Sequence, residues 1–240
     1  DTYYNPKMEE KIFEKKVQEY YSLRCLPQIL GPISKTISDA EEVIVDELNS
    51  VSDNPIIDIK SQNIYHGGNF HGDFVSCEMS KLKNAMIKLT VLTERQLNFL
   101  LNHKLNNIFT PFLNAGTLGL NLGLQGAQYA ATSTTAENQS LSASVYVHSI
   151  PSNNDNQDLV SMGTNEALLT NKVIDNFLDV NSVFCLALFQ ASMLKNEDIK
   201  LSLATKSYLS KLKLFIPFIK KDIEIRPILE YIKKNLISNI

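Results

Sequence analysis

The chain reads as mainly α-helical, and three observations carry that class. Apolar residues recur at helical spacing, strand patterning is scarce, and Leu82, Met86, Leu89 and Leu92 step by three or four along one face. That stretch predicts a helix over residues 71–102, longer than a typical globular helix. A second helix is expected over residues 27–51, broken or bent where Gly31 and Pro32 interrupt it, and a third over residues 157–191. Between the first two, Asp53-Asn54-Pro55 reads as a turn and residues 56–65 as a small β-hairpin, the only plausible β structure.

The stretch "AGTLGLNLGLQGAQ" places Gly116, Gly119, Gly123 and Gly126 at spacings of three, four and three. A glycine inside a helix costs up to about 1 kcal/mol relative to alanine, so the favoured reading is a helix with a smooth glycine seam that lets another helix approach closely. A glycine-rich loop is the alternative, because Leu118, Leu120, Leu122 and Leu124 also suit an extended segment. From about Glu197 the texture changes to lysine mixed with Ile, Leu and Phe, as in "KLKLFIPFIKK", which suggests a surface helix with snorkelling lysines. The expected organisation is therefore one domain, with a helical bundle over 1–196 and a peripheral helical cap over 197–240.

Composition narrows the function classes. The 240 residues, 44% hydrophobic and 20% charged, are enough for a substantial core. No uninterrupted apolar run approaches the ~18 residues of a membrane span, so the chain reads as soluble with no membrane partner. A net charge of -3 with scattered Lys and Arg lacks the footprint of a nucleic-acid binder. Cys25, Cys77 and Cys185 are far apart, which suits packing roles in a reducing cytoplasm. The opening "DTYYNPKMEEKIFEKK" has neither an initiator methionine nor a signal-peptide pattern and reads as the continuation of something longer.

Three stretches invite chemistry. In "YHGGNFHGD", His66 and His71 are five apart and match no metal-binding pattern, and GGNFHG is not a dinucleotide loop, so no metal site is expected. What remains is a backbone corner in which Gly67 and Gly68 permit unusual geometry and Phe70 is held in a fixed direction. In "VQEYYSLRC", Gln18, Tyr21 and Arg24 recur every third residue and would share one side of a helix. Arg24, flanked by Leu23, Cys25 and Leu26, would suit bidentate binding of a carboxylate; a solvated polar face is the alternative. In "SNNDNQDLVSMG", Asx turns followed by an N-cap account for the amides and acids without any ligand.

Taken together and in order, "QEYYSLRC", "SVSDNPI", "GGNFHG" and "NNDNQDLVSMG" make the chain resemble the carboxy-terminal half of the aromatic amino-acid ammonia-lyases, the family of histidine, phenylalanine and tyrosine ammonia-lyases and related aminomutases. The resemblance implies an all-α, fumarase-like homotetramer with a long central bundle, each active site collecting residues from three subunits. It implies elimination of ammonia from an aromatic amino acid through a methylidene-imidazolone electrophile formed from an internal Ala-Ser-Gly. By motif match Arg24 would grip the substrate carboxylate, and Tyr21 and Gln18 would lie near the amine and the electrophile. Phe70 would flank the electrophile, while Asn156 and Gln157, with Asn153 as a further substrate contact, would face the substrate from a helix start. Histidine-specific members carry glutamate where this chain has Gln157, so an aryl substrate is expected, and the run around it looks most like bacterial tyrosine ammonia-lyases. Ala-Ser-Gly occurs nowhere in the chain and the catalytic tyrosine base of the family's amino-terminal half is absent. The chain alone is therefore expected to be inactive, with its other half as partner.

Overall fold

In the computed structural model, which describes residues 18–195 and 201–238, a one-turn helix α1 (Tyr21–Arg24) leads into α2 (Leu26–Asn49). A two-stranded antiparallel hairpin follows, β1 (Ile56–Asp58) with β2 (Asn63–Tyr65), in which Ile57 pairs with Ile64. Then come α3 (Asp73–Leu101), α4 (His103–Asn106), a 3₁₀ turn (Pro111–Leu113), α5 (Gln125–Ser140) and α6 (Gly163–Leu194). The chain closes with α7 (Leu203–Lys213) and α8 (Arg226–Ile237). The expected division at 196/197 falls outside the described residues, as does the opening stretch.

Helix α3 is the spine. At 1.5 Å per residue its 29 residues span about 43 Å. Helix α2 runs antiparallel along one side, since Gln28 and Ile29 share a cleft with Ala85 and Lys88 while Ser22, just ahead of α2, accepts a hydrogen bond from Gln96 at 2.8 Å. Helix α6 runs parallel on the other side: Gly163 meets Gly72 at the start of α3, and Thr170 donates to Met79 O at 2.9 Å. Helix α5 is antiparallel to both, with Asn138 at Thr90 and Gln128 at Asn98.

Apolar burial supplies most of the cohesion. Leu97, Leu101, Val180, Leu186, Phe189 and Ile232 form one cluster, and Met86, Ile87 and Val173 a smaller one. Each such side chain contributes roughly 1.5–3 kcal/mol when fully buried. The buried stripe of α3 is more polar than its leucine spacing suggests, since Ser80, Lys83, Thr90 and Glu94 lie on it. Between the clusters Asn138, fully buried, donates to Thr90 Oγ1 and Val173 O, both at 3.1 Å, and accepts from Asn176 at 2.9 Å.

Several expectations are corrected. Helix α2 passes unbroken through Pro32. The glycine seam is a loop: Gly119 and Gly123 have φ of +87° and +60°, and helix begins only at Gln125. A Cβ on Gly123 would stand 2.7 Å from Phe112 O, and Leu124 N bonds that same oxygen at 2.9 Å. Here glycine serves a left-handed turn rather than a helix crossing. Helix α6 starts at Gly163, not near Gln157, because residues before it form a separate loop. The helices expected in the C-terminal part are present as α7 and α8, but they are not one continuous surface helix: residues 214–225 between them lack regular structure and bury Ile216 and Ile219 in the main core. Finally, α6 is long and apolar enough to cross a membrane by length and composition, with a mean hydropathy of 1.5 over 18 residues. Its polar side chains bond inside the bundle, Asn176 to Glu137 at 2.8 Å and Gln190 to the backbone of Ile219 at 2.8 and 3.1 Å, which makes it a core helix here.

Candidate functional site

The candidate site residues fall into two groups. At the C-terminal end of α3, α1 carries Tyr21 and Arg24 together: the guanidinium carbon stands 4.5 Å over the Tyr21 ring, and Arg24 Nε donates to Glu19 O at 2.9 Å. Tyr20 packs edge-on against Phe99 with ring centroids 5.7 Å apart, fixing α1 to this end. Arg24 is exposed although its neighbours are apolar, because Leu23 and Cys25 are themselves only half-buried on a single helical turn that buries none of its residues. Gln18 lies ahead of the helix, exposed, and shares no helical face with the other two.

At the opposite end of α3 stands the aromatic corner. Gly67 N donates to Asn54 Oδ1 at 3.0 Å, tying the corner to the Asp-Asn-Pro turn, whose Asn54–Pro55 peptide is cis. Neither Gly67 nor Gly68 adopts a positive φ, so the corner does not depend on left-handed glycine geometry. Phe70 is 53% exposed, its ring open to whatever covers this end. His71 turns inward: its Nε2 donates to Leu159 O at 3.1 Å, and its Nδ1 lies 3.4 Å from Asp73. A Cβ on Gly163 would lie 3.3 Å from Gly72 O, so the backbones of the two motifs nearly touch. GGNFHG and NNDNQDLVSMG, separated by some eighty positions, are thus one structural unit.

The amide-rich loop is built as a tight return. Ser152 and Gln157 pair in an isolated antiparallel bridge, N–H to O at 3.1 and 3.3 Å, and Ser152 Oγ donates to Gln157 Oε1 at 3.0 Å. The tip between them holds Asn153, Asn154 and Asp155 at φ of +53°, +53° and +60°. Asn and Asp tolerate that left-handed region better than other side chains, which accounts for their run here. The expected N-cap is absent, since Met162 occupies that position without a side-chain cap; Asn153, Asn156 and Gln157 stand on the exposed loop, not at a helix start.

Sequence reasoning missed Lys83, Glu166 and Ser144, which hold the base of this loop. Lys83 and Glu166 are both fully buried and 2.5 Å apart. The signal available was a lysine on the buried stripe of α3, where an apolar residue belongs. Among the described residues no three His, Cys, Asp or Glu side chains converge as metal ligands. The nearest sequence to Ala-Ser-Gly in this region, Ser142-Ala143-Ser144, is already committed: Ser144 Oγ lies 2.6 Å from Ser80 Oγ and Ala143 O accepts from Lys83 at 2.7 Å. This chain's residues do not fit as a source of an imidazolone electrophile; what they offer is an exposed aromatic wall, amides and a cation.

The chain matches the family described as aromatic amino acid lyase over residues 7–213. It is 39% identical over 206 residues to tyrosine ammonia-lyase from Cupriavidus metallidurans, covering 86% of this chain and 38% of that protein. It is 42% identical over 182 residues to tyrosine 2,3-aminomutase from Chondromyces crocatus, covering 75% of this chain and 34% of the relative. The structure superposes on phenylalanine aminomutase from Pantoea agglomerans with a TM-score of 0.87 at 31% identity, over 96% of this chain and 47% of that one. The chain therefore spans less than half the length of the relatives it matches. Its fold is the all-α fold of these enzymes, and the chain belongs to the aromatic amino acid lyase family.

Proposed function

We propose that this chain supplies the carboxy-terminal part of an ammonia-lyase that releases ammonia from L-tyrosine to give 4-coumarate, in the cytoplasm, as a homotetramer. The observation that carries the reading is the contact between the aromatic corner and the amide loop, where His71 meets Leu159 and sets Phe70 and Gln157 at one end of the bundle. A wall of this kind suits an aryl amino acid held beside an electrophile. Gln157 is a neutral amide, which offers an imidazole no charge to bind.

The β-proton of an amino acid is barely acidic and ammonia leaves poorly, so the substrate needs a rigid grip on its carboxylate while a base works on the β-carbon. Arg24 is the group here able to give a carboxylate two parallel hydrogen bonds, with Tyr21 stacked beneath it. Asn153 and Asn156 would contact the substrate, and Gln18 and Tyr21 would lie beside its amine. A methylidene-imidazolone, made from an Ala-Ser-Gly outside this chain, would supply electron withdrawal that makes the amine a better leaving group. The base would come from the same partner segment.

The test is product analysis on the complete polypeptide with L-tyrosine, L-phenylalanine and L-histidine. Release of 4-coumarate and ammonia, lost in Arg24→Ala and Phe70→Ala while the fold is retained, is the expected result; preference for histidine would overturn the substrate assignment. Aminomutase activity is the second reading, favoured by the 42% identity to a tyrosine 2,3-aminomutase. It would appear as β-tyrosine retained in place of 4-coumarate.

A further inference from the structure

We propose that the buried Lys83–Glu166 ion pair is a positioning device for the loop over residues 142–162, and through that loop for Gln157; the last step rests on the reading of Gln157 as a site residue. Lys83 lies on α3 and Glu166 on α6, both side chains 0% exposed and 2.5 Å apart, so neither reaches a substrate. Each also holds the loop backbone. Lys83 Nζ donates to Ala143 O at 2.7 Å, and Glu166 Oε2 accepts from Val145 N at 2.6 Å. One step along, the Ser80 and Ser144 hydroxyls meet at 2.6 Å.

The remainder of the loop is held by polar contacts as well. Val147, Ile150 and Leu159 are 71%, 71% and 65% exposed, so these large apolar residues do not anchor it in the core. Above the ion pair, Val160 N donates to Ser149 Oγ at 3.0 Å and ties the two legs together. Beyond that comes the Ser152–Gln157 bridge, while His71 holds the return leg at Leu159. A continuous ladder of contacts thus runs from the buried charges to the Gln157 side chain. Replacing a buried ion pair by uncharged residues of similar volume is often neutral or stabilising, so stability alone gives weak reason for this one. Its geometric yield is plain: two opposite charges grip a carbonyl and an N–H two residues apart and thereby fix the direction in which the loop leaves the bundle.

The test is Lys83→Met/Glu166→Gln in the complete polypeptide, read by hydrogen exchange over residues 142–160, by denaturation, and by turnover of L-tyrosine. The expected result is exchange about tenfold faster or more in the loop, with protection of α3 and α6 retained and the denaturation midpoint little changed. Turnover should split, kcat falling roughly tenfold or more while KM moves less than about threefold, because the carboxylate grip lies with Arg24. Unchanged loop protection would overturn the proposal; loosened protection with unchanged kcat would overturn its extension to Gln157. If the unsubstituted polypeptide turns over no aromatic amino acid, the lyase reading fails and loop exchange alone decides the positioning role. Should the double variant not fold, Ser80→Ala/Ser144→Ala removes the neighbouring tie and keeps the ion pair. Loop exchange within about threefold of the parent then supports the pair as the anchor, and a tenfold rise would transfer that role to the serines.

Discussion

Arg24 and Phe70 stand at opposite ends of one helix. Arg24 lies on α1, which docks where Gln96 and Phe99 sit, and Phe70 lies just before Asp73, so roughly 23 helical residues, or about 35 Å, separate them. No amino acid spans that distance. If both groups serve one site, they come from different copies of the chain, and α3 acts as a strut between two half-sites.

Mixing variants tests this. Refolding or co-expressing Arg24→Ala with Phe70→Ala in the complete polypeptide should restore activity that each lacks alone, to about a quarter of the parent at equal proportions, since sites then draw the two residues independently. Mixed oligomers that stay as inactive as each parent would place both residues in one copy's site, against the geometry.

The buried amide network should be costly to disturb. Asn138→Ala removes the side-chain donor to Val173 O, which keeps its helical bond, and leaves Thr90 Oγ1 without a donor and Asn176 without one acceptor in the bundle interior, at a cost of about 2–3 kcal/mol. Urea denaturation reads this as a lower midpoint with an unchanged slope. A shift equivalent to less than ~1 kcal/mol would mean that water replaces the amide.

Glycines at two nearby positions should respond oppositely. Gly123→Ala forces a side chain into a left-handed turn at φ +60° with its Cβ 2.7 Å from Phe112 O. Strain and contact together should cost at least about 2 kcal/mol. Gly126→Ala, in the first turn of α5 with open space around the added Cβ, should be neutral or stabilising by up to about 1 kcal/mol. Paired thermal melts decide; equal losses at both would revive the packed glycine helix.

Stability should fall at alkaline pH through Tyr208. Burial first, and then the neighbouring Cys185, pushes the phenol from 10.0 up to about 12. A folded pKa above the unfolded one means that the contribution is complete below pH 10 and is lost as pH rises through about 12. The ring is 41% exposed, so solvent screening discounts the loss to on the order of 1 kcal/mol. Chemical denaturation at pH 9 and pH 12 should show this decline, and Tyr208→Phe should remove much of it.

The long helices were legible because their signal is local. The spacing of Leu82, Met86, Leu89 and Leu92 places α3 within two residues of its observed bounds at each end, and Asp53-Asn54-Pro55 correctly announces the turn before the hairpin. The family, too, could be read from four short motifs in order. The glycine stretch was not legible, for its spacing fits a helix and a loop equally well. What settles it lies far along the chain: Asp222 accepts from the N–H groups of Leu122 at 2.8 Å and Gly123 at 3.1 Å, a hundred positions away.

Periodicity and motif order therefore determined the helical class, the main helices and which residues are candidates for a site. Only the tertiary structure decided which of those residues are neighbours. It joined Phe70 to the Gln157 loop through His71, set Arg24 about 35 Å away along α3, and put Lys83 and Glu166 under the loop. The physical reason is that helix formation is governed by residues three and four apart, whereas the register between packed helices is fixed by side-chain contacts between positions far apart in the chain, from 30 for Gln128 with Asn98 to 91 for Thr170 with Met79, which local spacing does not encode.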